Sequence, residues 1–148
     1  MNKYSVKIKK LNDDAMVPTY GSEFAAGADL YACTGASIEI EPHETKLIPT
    51  GIAMEIPVGF AGFVYARSGI ASKRGLAPAN KVGVIDSDYR GEIMVALHNH
   101  SSQPQCIEHG ERIAQLVIAP YITADFILSD GLDETNRGEG GFGSTGMK

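Results

Sequence analysis

Residues 80–92 read Asn-Lys-Val-Gly-Val-Ile-Asp-Ser-Asp-Tyr-Arg-Gly-Glu, setting carboxylates, an arginine, a tyrosine and an amide between two apolar runs. Val82, Val84 and Ile85 read as a buried strand, Ile93 to Leu97 reads as the next, and Gly91 offers a flexible turn position near the start of the return. The stretch is therefore expected to be a hairpin that carries polar chemistry at its tip. In an extended backbone Asp86 and Asp88 share a face and Tyr89 follows on the other, so one carboxylate could act while the other holds it in place. Asp, Ser and Gly are also the ordinary vocabulary of turns, where they bond local backbone. The company these residues keep elsewhere in the chain decides between the two readings.

Outward from this stretch the β pattern repeats. Short alternating runs at residues 38–40, 47–48, 52–56 and 60–65 are broken by Pro42, Pro49, Gly51, Pro57 and Gly59. Further strands are expected at residues 113–118 and 125–128, and Val6 and Ile8, alternating with lysines, suggest a short edge strand. Turn signals at this spacing indicate an all-β sandwich or barrel. One short helix is expected, with Ser68 as its N-cap and Gly75 just past its end.

The 148 residues, 43% hydrophobic and 21% charged, suit one globular domain with a core of its own. A net charge of −5 argues against a nucleic-acid polymer as partner, because such partners are held by clustered Lys and Arg. A single nucleotide needs only a few local cations. Cys33 and Cys106 are too few for a disulfide framework and read as small core residues of a protein in a reducing compartment. No long apolar run follows the N-terminal lysines or occurs later, so neither a secretory signal nor a membrane span is expected, and the cytoplasm follows.

Chemistry-bearing residues recur along the chain. Arg67 beside a helix start at Ser68 and Gly69 suits a phosphate; the alternative is a surface turn with incidental cations. Asp29, between small residues and an apolar pair, is either satisfied by backbone donors or part of a site. Gln115, among apolar residues, either satisfies loop backbone or offers its amide to a phosphate or a hydrated metal. His98 and His100 could share a strand face, but no third ligand stands at zinc spacing. The tail, residues 137–146, is Arg-Gly-Glu-Gly-Gly-Phe-Gly-Ser-Thr-Gly. It has nearly a phosphate-loop spacing, yet Ser144 stands where the lysine would be and no strand-loop-helix unit surrounds it. Its glycines, Gly143 included, could still aim N–H groups at an anion, with Arg137 to neutralise it and Phe142 to stack on a base.

Five segments together, Ala-Gly-Ala-Asp-Leu, Ala-Arg-Ser-Gly, Gly-Val-Ile-Asp-Ser-Asp-Tyr-Arg-Gly-Glu, Gly-Glu-Arg-Ile-Ala-Gln-Leu and the tail, span residues 26–146. Their order and spacing resemble the five motifs of the trimeric dUTP diphosphatases (dUTPases). The resemblance implies a distorted jelly-roll, a β-sandwich with one short helix, over residues 1–130. It further implies a flexible glycine-rich C-terminal arm, residues 131–148, that closes over a neighbouring subunit's site. The implied assembly is a homotrimer with shared active sites. The implied reaction is hydrolysis of dUTP to dUMP and pyrophosphate, which keeps uracil out of DNA and supplies dUMP for dTMP synthesis. By the same resemblance Asp86 activates the water that attacks the α-phosphorus, and Tyr89 packs on the deoxyribose. Asn80 and the backbone around Val84, Ile85 and Met94 read uracil. Arg67, Ser68, Gly69 and Gln115 hold phosphates, with Asp29 and Asp88 as supporting residues. Arg137, Phe142, Gly143 and Ser144 cover the nucleotide from another subunit, and Mg2+ rides mainly on phosphate oxygens and water. Two other readings have discriminators in the sequence. A dCTP deaminase of the same fold would carry a glutamate base and lack the Asp86 and Tyr89 arrangement. A regulatory protein binding dUTP as a signal would carry an inserted partner-binding segment.

Overall fold

A computed structural model of the chain describes residues 4–142. Among these residues there are twelve strands and one helix. A five-stranded antiparallel sheet runs, from edge to edge, through β2 (Thr19–Tyr20), β3 (Ala28–Tyr31), β12 (Arg112–Pro120), β7 (Phe60–Tyr65) and β9 (Gly83–Ile85). A second sheet places β10 (Met94–Asn99) between β5 (Thr45–Pro49) and β8 (Leu76–Pro78). Two smaller ladders pair β1 (Lys7–Lys10) with β6 (Ile52–Glu55), and β4 (Ile38–Ile40) with β11 (Gln105–Ile107). Leu30, Val64 and Leu116 from the first sheet, Ile48, Leu76 and Leu97 from the second, and Ile40, Met54 and Ile107 from the ladders meet in one core. The result is the β-sandwich of a distorted jelly roll, held by apolar area from all four sheets.

β10 shows why the alternation was readable. Val95, Leu97 and Asn99 point inward and Met94 outward, as a half-buried strand requires. The inward polar residue is fully satisfied: Asn99 Nδ2 donates to the carbonyls of Ile40 (3.0 Å) and Gln103 (2.8 Å), and its Oδ1 accepts from the backbone N–H of Ser101 (2.9 Å).

Several expectations are corrected. The strands on either side of residues 86–92 do not pair as a hairpin: β9 joins β7, whereas β10 joins β5 and β8 in the other sheet. The loop is diverted by the turn at Thr50 and Gly51. Thr50 Oγ1 donates to the Ile93 carbonyl (2.5 Å), the Ile93 N–H to the Ile52 carbonyl (2.8 Å), and the Gly51 N–H to Glu92 Oε1 (2.8 Å). Val84 and Val82 are exposed rather than buried, because β9 is an edge strand; only Ile85 reaches the core. Asp86 and Asp88 lie not on an extended strand but in a turn closed by the Tyr89 N–H on the Asp86 carbonyl (3.2 Å). Helix α1 spans Ser68–Arg74 and stops at Gly75 (φ 66°) as expected, but its N-cap is Arg67, without a side-chain cap. Cys106 is exposed, because alternation on β11 turns Ile107 inward instead. Residues 125–128 form no strand. In the stretch after Pro120, Ile122, Phe126, Ile127, Leu128 and Leu132 stand in the open, and no strand among the described residues pairs with them.

Candidate functional site

The register of the five-stranded sheet assembles the first group of polar residues. Gln115 in β12 lies opposite Asp29 in β3 on one side and opposite Tyr65 in β7 on the other. Residues directly opposite share a face, so three segments distant in sequence converge at one end of the sheet. Arg67 follows β7 by two residues and reaches back, its Nε donating to Asp29 Oδ1 at 2.6 Å. Arg112 Nη1 approaches Asp29 Oδ2 at 3.3 Å, and Gln115 Nε2 donates to the Ala66 carbonyl at 2.8 Å. Asp29 is 9% exposed, and its partners are guanidinium groups rather than the backbone donors considered for it. These residues line a cleft of about 360 Å³ together with Gly27, Ser68 and Gly69. Two cations around one carboxylate leave the cleft with an uncompensated positive charge, which suits a polyanion.

A second cleft, of about 290 Å³, lies against the other end of the site sequence. Val64, Asn80, Val84, Ile85, Tyr89 and Met94 line it, with Asp86 on its wall. It combines apolar surface, an aromatic ring, an amide and exposed strand backbone, the mixture that holds a small planar ligand. Tyr89 is fixed by its hydroxyl, which donates to the Glu92 carbonyl (3.0 Å). Its ring lies over Gly91, where a β-carbon would stand 2.6 Å from Tyr89 Cζ. Gly91 is therefore required by close approach, not by a turn dihedral. Asp86 is exposed, and its carboxylate makes no hydrogen bond among the described residues. Arg90 stays within the loop, donating from Nη1 to the carbonyls of Ser87 (2.7 Å) and Tyr89 (3.0 Å). Asp88 is exposed and does not line the cleft.

The expected site residues thus fall into two clefts of one chain: Arg67, Ser68, Gly69, Gln115 and Asp29 in the first, and Asn80, Val84, Ile85, Asp86, Tyr89 and Met94 in the second. Arg137 and Phe142 line neither. Arg137 Nε donates to the Gly140 carbonyl (2.8 Å) and the Phe142 ring is fully exposed. Gly143 and Ser144 lie outside the described residues. Sequence reading passed over Arg112, whose signal is subtle because it lies three residues from Gln115 and so should face away from it on a regular strand. His98 and His100 do sit together, ring centroids 4.4 Å apart, with His98 Nδ1 on Thr45 Oγ1 at 2.8 Å. Among the described residues no three His, Cys, Asp or Glu side chains gather as metal ligands.

Comparison with known proteins gives a consistent picture. The dUTPase family model matches residues 13–146. The chain is 53% identical over 150 residues to the deoxyuridine 5'-triphosphate nucleotidohydrolase of Desulfitobacterium hafniense (strain DSM 10664 / DCB-2), covering 99% of each. It is 45% identical over 151 residues to that of Haemophilus influenzae (strain PittEE), covering 100% of each. Among solved structures it resembles the Staphylococcus bacteriophage 80alpha dUTPase with dUPNHPP, with a TM-score of 0.88 and 29% identity over 97% of this chain and 99% of that one.

Proposed function

The chain belongs to the dUTPase family, and on that premise we propose that it hydrolyses dUTP to dUMP and pyrophosphate by direct attack of water on the α-phosphorus. The observation that carries the mechanism is the carboxylate of Asp86, exposed at the wall of the aromatic cleft and without a partner of its own among the described residues. Asp86 takes a proton from the attacking water as its oxygen bonds to the α-phosphorus. The bond from that phosphorus to the bridging oxygen breaks, and pyrophosphate leaves with the electron pair. No covalent nucleophile is needed. Tyr89 packs on the deoxyribose, Asn80 and the strand backbone beside Val84, Ile85 and Met94 meet the uracil edge, and Arg67, Ser68, Gly69 and Gln115 take the phosphates. The product also serves the cell as dUMP for dTMP synthesis, and removal of dUTP keeps uracil out of DNA.

Mg2+ enters as part of the substrate. Both oxygens of Asp29 face guanidinium groups, so the anion cleft presents donors to phosphate rather than a carboxylate cage to a metal. Arg67, Ser68, Gly69 and Gln115 would hold the phosphates of a substrate that brings its own small hard cation, and such a cation would supply neutralisation of phosphate charge. The protein is proposed to work in the cytoplasm on free nucleotide.

The two clefts, each holding half of the required chemistry, support a shared site. A homotrimer would bring the cation cleft of one subunit to the aromatic cleft of the next, with Arg137, Phe142, Gly143 and Ser144 supplied as a cover by the arm of another. The open apolar side chains from Ile122 to Leu132 suit burial against a neighbouring copy. The deciding experiment incubates the purified protein with Mg2+ and each common deoxynucleoside triphosphate, following pyrophosphate and ammonia separately, alongside Asp86→Asn. Pyrophosphate from dUTP alone, lowered by about 10²–10⁴ in the variant, is expected. Ammonia from dCTP, or wild-type turnover in Asp86→Asn, would refute the mechanism.

A further inference from the structure

We propose that His98 and His100, at the end of β10, form a two-histidine clip for a divalent transition-metal ion of the nickel or copper type. Neither histidine lines either cleft. The proposal does not rest on the dUTPase reading, and its ion is distinct from the Mg2+ that a substrate would carry.

The sequence His98-Asn99-His100 sets two imidazoles two residues apart, and on an extended backbone such residues share a face. Asn99 between them is 0% exposed and anchors the backbone that carries both. Its N–H donates to the Glu44 carbonyl (3.0 Å), its carbonyl accepts from the His43 N–H (2.8 Å), and the His100 N–H donates to the Gly75 carbonyl (2.8 Å). The two rings therefore stand on a fixed frame, with centroids 4.4 Å apart and planes inclined at 66°. A metal lies about 2.0–2.1 Å from an imidazole nitrogen, so two imidazoles on one ion at a right angle have centroids about 4.5 Å apart, against about 5.2 Å at the tetrahedral angle. The observed spacing is that of the right angle. Square-planar and octahedral ions with nitrogen ligands, Cu2+ and Ni2+, take that angle.

The surroundings prepare the rings as ligands. His98 Nδ1 lies 2.8 Å from Thr45 Oγ1. With Nδ1–H donating to the threonine, Nε2 carries the lone pair, and a partner on the second ring nitrogen is how metal-binding histidines are commonly oriented. His100 is exposed, which leaves the far side of the ion to water. Desolvation, with help from His98, Lys81 and His43, lowers its proton affinity, so its ring is neutral at pH 7 and has a lone pair to give. Two nitrogens without a carboxylate favour a borderline transition metal over Mg2+ or Ca2+, which take oxygen ligands. The positive charge of Lys81 nearby opposes the ion and keeps the affinity moderate.

The test is calorimetric titration of the untagged full-length protein with NiCl2, with and without excess MgCl2, for wild type, His98→Gln, His100→Gln, Thr45→Val and, as a control, the exposed His109→Gln. Wild type should bind Ni2+ saturably and Mg2+ should not compete. His98→Gln and His100→Gln should each weaken Ni2+ binding by at least about tenfold, and Thr45→Val by about tenfold through the ring it orients. His109→Gln should bind as wild type does. Ni2+ should also raise the thermal midpoint of wild type and not that of His100→Gln. Melts without metal check that each variant folds, and His100→Gln, at an exposed position, carries the test if His98→Gln does not. A wild type without saturable Ni2+ binding overturns the proposal. So does binding within twofold of wild type in a folded His98→Gln or His100→Gln, which would leave the two rings as an aromatic contact only. An equal loss in His109→Gln, or displacement of Ni2+ by Mg2+, would overturn it as well.

Discussion

Gly27 lies directly beneath the side chain of Gln115: a β-carbon at position 27 would collide with Gln115 Oε1 and stand 3.1 Å from its Cδ. The glycine therefore sets where the amide rests, and the amide in turn reaches the Ala66 carbonyl and the wall of the anion cleft. Gly27→Ala should displace the amide end of Gln115 and press on its Cβ, 3.2 Å away, so its effect on the thermal midpoint should be modest. The Michaelis constant for dUTP should rise by about tenfold, the loss of one hydrogen-bonded contact to an anion. Steady-state kinetics checks this, and an unchanged constant would show that Gln115 does not meet the phosphates.

Tyr89 should set sugar selectivity. Its hydroxyl is committed to the Glu92 carbonyl, so the ring offers a 2′-hydroxyl a flat face and no hydrogen bond. Tyr89→Ala is expected to raise activity on UTP relative to dUTP. If the ratio of the two efficiencies stays at the wild-type value, the tyrosine has no such role.

His100 gives the fold an acid-sensitive point. Desolvation, with help from His98, Lys81 and His43, holds its proton affinity below the ordinary imidazole value. The folded state then binds this proton less readily than the unfolded one. Its stability relative to the unfolded chain is full above about pH 6.5 and declines as pH falls from there toward the folded value. The residue is exposed, so solvent screening keeps the effect modest. Thermal melts of His100→Gln between pH 7 and pH 5 should decline less steeply than those of wild type, and identical slopes would assign the acid sensitivity elsewhere.

Two truncations should separate assembly from closure. Among the described residues the chain beyond Tyr121 makes only local hydrogen bonds, such as Ser129 Oγ to the Gly131 carbonyl (2.6 Å) and the Gly138 N–H to the Thr135 carbonyl (3.0 Å). Removing residues 137–148 should leave the thermal midpoint nearly unchanged while hydrolysis collapses, because the proposed cover of Arg137 and Phe142 is lost. Removing residues 121–148 should also weaken the proposed trimer, in which the apolar run from Ile122 to Leu132 is assigned to a neighbouring copy. Light scattering and turnover measured on both forms decide this. Full activity in the shorter deletion would make the tail idle.

The sequence by itself determined the class of fold, because period-two alternation broken by Pro and Gly has one physical solution, short strands that bury one face. It also determined the helix stop at Gly75, a left-handed position that favours glycine, and the family, through motifs whose order and spacing resemble those of the dUTPases. Which strand pairs with which was not written in local pattern. Residues 82–97 look like a hairpin, yet the bonds of Glu92 and Ile93 to the turn at Gly51 and Ile52 send the two arms into different sheets. The buried pairing of Asp29 with Arg67, and the arrival of Arg112 beside Gln115, likewise belong to tertiary structure. The first depends on a register across three strands, and the second on a single inserted residue in β12 whose only trace in the sequence would be a break in an alternation that Ile113 and Ala114, both apolar, conceal.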